Sequence, residues 1–181
     1  MNGRELIIGV TGGIAAYKTA ALVSRLVQAG AGVSVVMTEA ATRFVGPTTF
    51  QALTGRPVGT SVFDQPGLPL GAHIQLAEKA DLLCVAPATA NFLAKAAHGI
   101  ADDLLSTLYL SFAGPVFVAP AMNTAMWNKP SVQRNVQQLR ADGVHLLDPT
   151  DGWLSCRARG AGRMVDPEVI FEAVRGELGN G

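Results

Sequence analysis

The sequence predicts a doubly wound α/β sandwich, a parallel sheet with helices on both faces. Three observations carry that expectation. Five short runs are almost wholly apolar, as strands covered on both faces are. Segments with helical periodicity lie between them. Gly30 and Gly143 stand where two of those helices should stop.

In chain order, the apolar runs at 6–10, 33–38, 82–87, 116–120 and 144–148 read as strands. Helix-period segments are expected at 14–29, 73–79, 91–97, 102–112, 130–141 and 167–178. Two stretches resist assignment: 54–71, rich in Gly and Pro, and 150–163, with three Gly and three Arg. Long loops in compact domains are usually lids or oligomer contacts. With 181 residues and no repeat or boundary, the chain is expected to be one domain, 1–181.

Composition removes several function classes. Lys+Arg equal Asp+Glu at 14 each, so no basic excess points to nucleic acid or an anionic membrane. A charged fraction of only 15% leaves much uncharged surface, which suits burial between subunits. No apolar run approaches the roughly 20 residues needed to span a bilayer. No signal-peptide core precedes the first strand. Cys84 and Cys156 are too few and too far apart for a disulfide framework or a zinc knuckle. A reduced, cytoplasmic setting is expected.

The carboxyl ends of the strands hold the candidate chemistry, because open α/β sheets bind ligands there. After the first strand come Gly12, Gly13 and Ile14, then a helix start whose exposed amides attract a phosphate. The spacing is not GxGxxG, so a mononucleotide phosphate fits better than a dinucleotide. The same residues also read as a tight strand-to-helix turn. Thr38 and Glu39 end the second strand, and Glu39 keeps an NAD ribose contact open. Ala88, Thr89, Ala90 and Asn91 follow the third strand, with Thr89 and Asn91 able to bond a ligand or simply to cap the next helix. The fourth strand runs into Ala121, Met122, Asn123 and Met126. Asn123 is placed to orient a carboxylate or to cap a helix, between apolar walls.

His73 begins a helix after a Gly-rich loop; the positive helix end disfavours its cation, which suits a base, and packing is the plainer alternative. Cys156 is followed by Arg157, Arg159 and Arg163, which either favour a thiolate, meet a phosphate, or form a solvated loop. Cys84 lies inside a strand and reads as packing.

Taken together, 9–14, 72–74, 86–91, Pro120–Asn123 with Met126 and Trp127, and Cys156 with 160–164 resemble the flavin-dependent cysteine decarboxylases over nearly the whole chain. The resemblance is nearest to the branch acting on phosphopantothenoylcysteine in coenzyme A synthesis; another branch acts on C-terminal peptidyl cysteine. It implies a Rossmann-like flavoprotein sandwich with FMN on Gly12, Gly13, Ile14, Thr38, 88–91 and Ser106. It also implies catalytic roles for His73, Asn123 and Cys156, and a homotrimer, or a multiple of trimers, with flavin between subunits. Ala121, Met122, Met126, Arg157, Arg159 and Arg163 are the expected substrate contacts. Arg157 to Arg159 depart from the family's usual Gly, acid and apolar residue, which bears on the substrate clamp. Relatives often carry a fused ligase; this chain is too short for one, so the ligase would be separate or the chain an isolated domain. A flavin prenyltransferase and a non-catalytic regulatory flavoprotein share the fold, but the former should lack the Pro120–Asn123 and Cys156 motifs and the latter the Cys.

Overall fold

A computed structural model describes residues 1–63, 71–153, 157 and 159–179. The elements run β1 (Glu5–Val10), α1 (Ala16–Gln28), β2 (Gly32–Met37), α2 (Glu39–Thr42), α3 (Pro47–Thr54) and α4 (Ala72–Lys79). They continue with β3 (Leu82–Ala88), α5 (Ala90–His98), α6 (Leu104–Ser111), β4 (Val116–Pro120), α7 (Thr124–Trp127) and α8 (Pro130–Ala141). Last come β5 (His145–Leu146), β6 (Thr150–Trp153), β7 (Arg159–Arg163) and α9 (Pro167–Gly179).

The main sheet has the order β2-β1-β3-β4-β5, every pairing parallel, as the apolar runs predict. Successive side chains of a strand point to opposite faces. Leu6, Ile8 and Val10 therefore join Leu22, Phe50 and Phe171 on the α1, α3 and α9 side. Ile7, between them, joins Leu83, Val85, Leu93, Leu105 and Val136 on the other. Full burial of one such side chain stabilises by about 1.5–3 kcal/mol, so β1 and β3 anchor the domain on both faces.

Four details differ from the sequence reading. The fifth strand shrinks to His145–Leu146, because a sheet edge with one neighbour needs less ladder. Pro47–Thr54 is a helix, opened by Pro47 in its first turn and closed by Gly55 at φ +67°; the mixed polar run around Phe50 hides its period. Within 150–163, Thr150–Trp153 and Arg159–Arg163 pair as an antiparallel ribbon. α1 begins at Ala16, two residues late, since 12–15 form the turn itself.

Strand order reverses between β1 and β3. A crevice for ligands opens at such a switch point, and Thr11 holds its two lips together. Its hydroxyl donates to Pro87 O at 2.7 Å and accepts the Thr89 N–H at 2.9 Å. Among the described residues, no helix is long and apolar enough to cross a membrane.

Candidate active site

A cleft of about 600 Å³ lies at this switch point. Gly12, Gly13, Ile14, Ala15, Tyr17 and Lys18 form one wall, Thr89 and Ala90 the floor from β3. Ala121, Met122, Asn123 and Met126 form the wall after β4, and Trp153, Gly162, Arg163 and Met164 close it from the ribbon. Nine of the expected cofactor and substrate contacts are thus gathered with Asn123. Thr38, Ala88, Asn91, His73, Ser106, Arg157 and Arg159 are not among its lining residues. Cys156 lies outside the described residues.

The α1 start has the makings of a phosphate cradle. α1 has no side-chain cap and no acid in its first turn. No acceptor is found among the described residues for the N–H groups of Gly12, Ile14 and Ala15. Such unpaired donors at a helix start favour an anion. Gly13 leaves open space, since a Cβ there would come no closer than 3.7 Å to Thr89. Gly12 has a packing role beside its place in the cleft wall: a Cβ on it would overlap the Ala40 methyl, so its bareness admits α2.

Several expected ligand groups are also helix caps. Thr38 Oγ1 accepts the Ala41 N–H at 3.3 Å, and Thr89 Oγ1 accepts the Phe92 N–H at 3.3 Å. A hydroxyl that accepts still carries a hydrogen to donate, so a cap and a ligand contact are compatible. Asn123 Oδ1 accepts the Ala125 N–H at 2.7 Å and caps α7. That bond fixes the amide at the end of β4, beside the cleft. Ser106 is buried in a capping box with Asp103, its Oγ donating to Asp103 and accepting the Asp103 N–H at 3.1 Å. Burial acts to raise the Asp103 carboxyl, but hydrogen bonds from Lys95 and Ser106 hold it below its ordinary value.

The ribbon is docked on the β4 wall. Met122 N–H donates to Gly162 O at 2.9 Å. Gly162 has φ +135°, and a Cβ there would overlap Met122 O, so only glycine serves. Arg157 also stands in the left-handed region, at φ +63°. At the cleft's rim Ile14, Tyr17, Met126 and Trp153 are 46–63% exposed, an apolar margin left in water.

Among the described residues, two buried side-chain polar atoms have no hydrogen-bond partner: His73 Nδ1 and Thr124 Oγ1. His98 bonds Ala94 O within its own helix, and His145 stacks on Phe117 at 4.5 Å. Burial pushes the Cys84 thiol up to about 12, which fits inert packing. No group of three or more His, Cys, Asp or Glu side chains gathers among the described residues to hold a metal.

The sequence reading passed over Ala15, Tyr17, Lys18, Trp153, Gly162 and Met164 as contacts. Tyr17 and Lys18 carried a signal, one turn into a helix that starts at a phosphate-type loop. Trp153 carried none, because it reaches the cleft only through the pairing of β6 with β7, which no apolar alternation announces.

Comparison with known proteins assigns the architecture. Residues 1–179 match the Flavoprotein family. The chain belongs to it, and within it to the flavin-dependent cysteine decarboxylases. It is 49% identical over 172 residues to the coenzyme A biosynthesis bifunctional protein CoaBC of Bacillus subtilis (strain 168), covering 95% of this chain and 42% of that protein. The chain thus spans less than half the length of that relative. The FMN-dependent cysteine decarboxylase SpaF superposes with TM-score 0.83 at 38% identity, over 96% of this chain and 97% of that one. A PPC decarboxylase variant complexed with pantothenoylaminoethenethiol gives TM-score 0.86 at 30% identity, over 97% and 98%.

Proposed function

We propose that this chain is an FMN-dependent carboxy-lyase that decarboxylates 4'-phosphopantothenoylcysteine to 4'-phosphopantetheine. The observation that carries the reading is the cleft itself. It joins unpaired amides at a helix start to an Asn-capped, Met-lined wall, in a fold shared with an FMN-dependent cysteine decarboxylase and with a PPC decarboxylase holding an ene-thiol ligand.

Gly13, Ile14 and Ala15 would hold the flavin's phosphate, and Thr89 and Ala90 would contact the rest of it. Thr38, Ala88, Asn91 and Ser106 remain expected contacts from the resemblance. FMN held there would supply a reversible two-electron acceptor for the substrate's C–S unit, so the overall reaction would be redox neutral. A cysteine carboxylate alone cannot lose CO2 easily, because the carbanion has nowhere to delocalise; a C=S beside it accepts the electrons.

The protein's own groups place and protonate. Asn123, oriented by its cap on α7, holds the substrate carboxylate through an uncharged amide. Met122, Met126 and Trp153 exclude water from the reacting carbon. His73 assists deprotonation, and Cys156 donates a proton in the reductive half.

His73 does not line the cleft of its own chain, and the cleft's rim is apolar and exposed. Both support a homotrimer, or a multiple of it, in which the His73 of one protomer faces the cleft of the next. The functional unit is one flavin-binding domain in the cytoplasm.

The substrate is tested by supplying purified, flavin-loaded protein with phosphopantothenoylcysteine or with a peptide ending in cysteine. CO2 release from the first and not the second is expected. Turnover of the peptide alone would move the chain to the peptidyl-cysteine branch.

A further inference from the structure

Three arginines follow Cys156, and the fold treats them differently. Arg157 and Arg159 are exposed and do not line the cleft; Arg163 lines it. Arg163 is also seated. Its side chain crosses Gly152 of β6, where a Cβ would stand 2.9 Å from Arg163 Cδ and 3.3 Å from Nη1. Any larger residue at 152 would lift the guanidinium from its bed. At the far end Nη2 donates to Asp166 Oδ1 at 3.1 Å. Lys18, also lining the cleft, donates Nζ to that same oxygen at 3.2 Å and lies 3.4 Å from Met164 O. Two cations thus share one carboxylate, leaving a net positive charge on this wall.

A guanidinium has five N–H donors in a planar fork, and Asp166 engages one edge of it. The others suit a doubly charged, three-oxygen group better than a single carboxylate. Phosphomonoesters are the chemistry that fits, and two are at hand: that of a flavin mononucleotide and that of a phosphorylated substrate. Position favours the second. The α1 start supplies its own amides for the flavin's phosphate, whereas Arg163 stands on the separate ribbon and its guanidinium extends from Gly152 to Asp166, leaving it for the second phosphate.

We propose that Arg163, bedded on Gly152 and tethered by Asp166, is the specificity residue that grips the phosphate of the substrate. Arg157 and Arg159 take no part in that grip, and Lys18 adds charge without the fork. The inference rests on the small-molecule reading of the function.

The test is the ratio of kcat/KM for phosphopantothenoylcysteine over pantothenoylcysteine, measured for wild type, Arg163→Gln and Arg163→Lys. A charge-assisted pair of this kind is worth about tenfold to a hundredfold. The ratio should fall by that factor in Arg163→Gln and by an intermediate factor in Arg163→Lys, which keeps charge without bidentate geometry. Should Arg163→Gln fail to fold, the Lys variant is read alone against the same expectation. In parallel, the affinities of the flavin-free proteins for FMN and riboflavin are compared by flavin fluorescence. An unchanged substrate ratio overturns the proposal. An unchanged substrate ratio with a lost preference for FMN over riboflavin reassigns Arg163 to the flavin's phosphate. If wild type turns over neither cysteine amide but does release CO2 from a peptide, the small-molecule reading fails, and the Arg163 proposal falls with it.

Discussion

Gly12 separates a packing account from a ligand account of the same motif. In Gly12→Ala the new methyl would overlap Ala40 Cβ and stand 3.0 and 3.2 Å from Ala40 C and Cα. None of these atoms is the end of a flexible side chain, so α2 must shift. Overpacking of this kind costs about 1–3 kcal/mol. A Gly→Ala change also removes unfolded-chain freedom, which offsets about 0.4–1 kcal/mol. The net is a destabilisation of about 1–2 kcal/mol in the flavin-free protein, or about 2–8 °C in Tm for a chain of this length. Ala40→Gly alone should cost about 0.5–1 kcal/mol, as glycine does in a helix. Combined, the two changes should cost less than their sum by about 1 kcal/mol, because the methyl–methyl overlap is gone. Urea unfolding of the four flavin-free proteins measures this cycle. Unchanged stability of Gly12→Ala, with only its flavin affinity lowered, would refute the packing argument and leave Gly12 with a ligand role alone.

His73→Asn should lower turnover by about 10²–10⁴-fold, the usual range for a lost proton-transfer group, while flavin stays bound; wild-type turnover would remove His73 from the chemistry. Asn123→Asp should also abolish decarboxylation, since the charge repels the substrate carboxylate, with Tm little changed because Asp caps α7 as well as Asn; wild-type turnover would remove Asn123 from the binding of the carboxylate. Gly162→Ala should speed hydrogen exchange at the Met122 amide and empty the cleft of Trp153, because the added Cβ meets Met122 O; native exchange there would show that the ribbon is docked by other contacts. The Asp103 carboxyl is held below its ordinary 3.8 by Lys95 and Ser106, burial notwithstanding. Its stabilisation is therefore present above that value and lost as pH falls through the lower folded one, so urea midpoints below about pH 4 should fall less steeply in Asp103→Asn than in wild type.

Strands β1 to β4 were legible because a strand buried on both faces has to be apolar throughout, and 6–10, 82–87 and 116–120 are. The uncapped α1 start was legible because a helix start after a glycine turn is a local pattern. What escaped was long-range. The packing role of Gly12 is hidden until Ala40 is seen against it, and Gly162 reads as a flexible loop until Met122 O fills the space beside it. Trp153 and Arg163 reach the cleft only because β6 and β7 pair, and a short, exposed ribbon of Gly, Arg and Asp has no apolar alternation to announce it. The caps at Thr89 and Asn123 show why both readings of those residues were reasonable. The end of a strand is where the next helix needs a cap and where a ligand sits.

Anaerobic turnover tests the central claim most directly. Flavin-loaded protein mixed with phosphopantothenoylcysteine in the absence of oxygen should release one CO2 per substrate, over many turnovers, and yield the saturated amide-thiol product by mass. No external oxidant or reductant should be needed, because the electrons taken from the substrate are returned to it. A single burst of CO2 that stops with the flavin reduced until oxygen is admitted, or no CO2 from fully loaded protein, would contradict a redox-neutral cysteine decarboxylase.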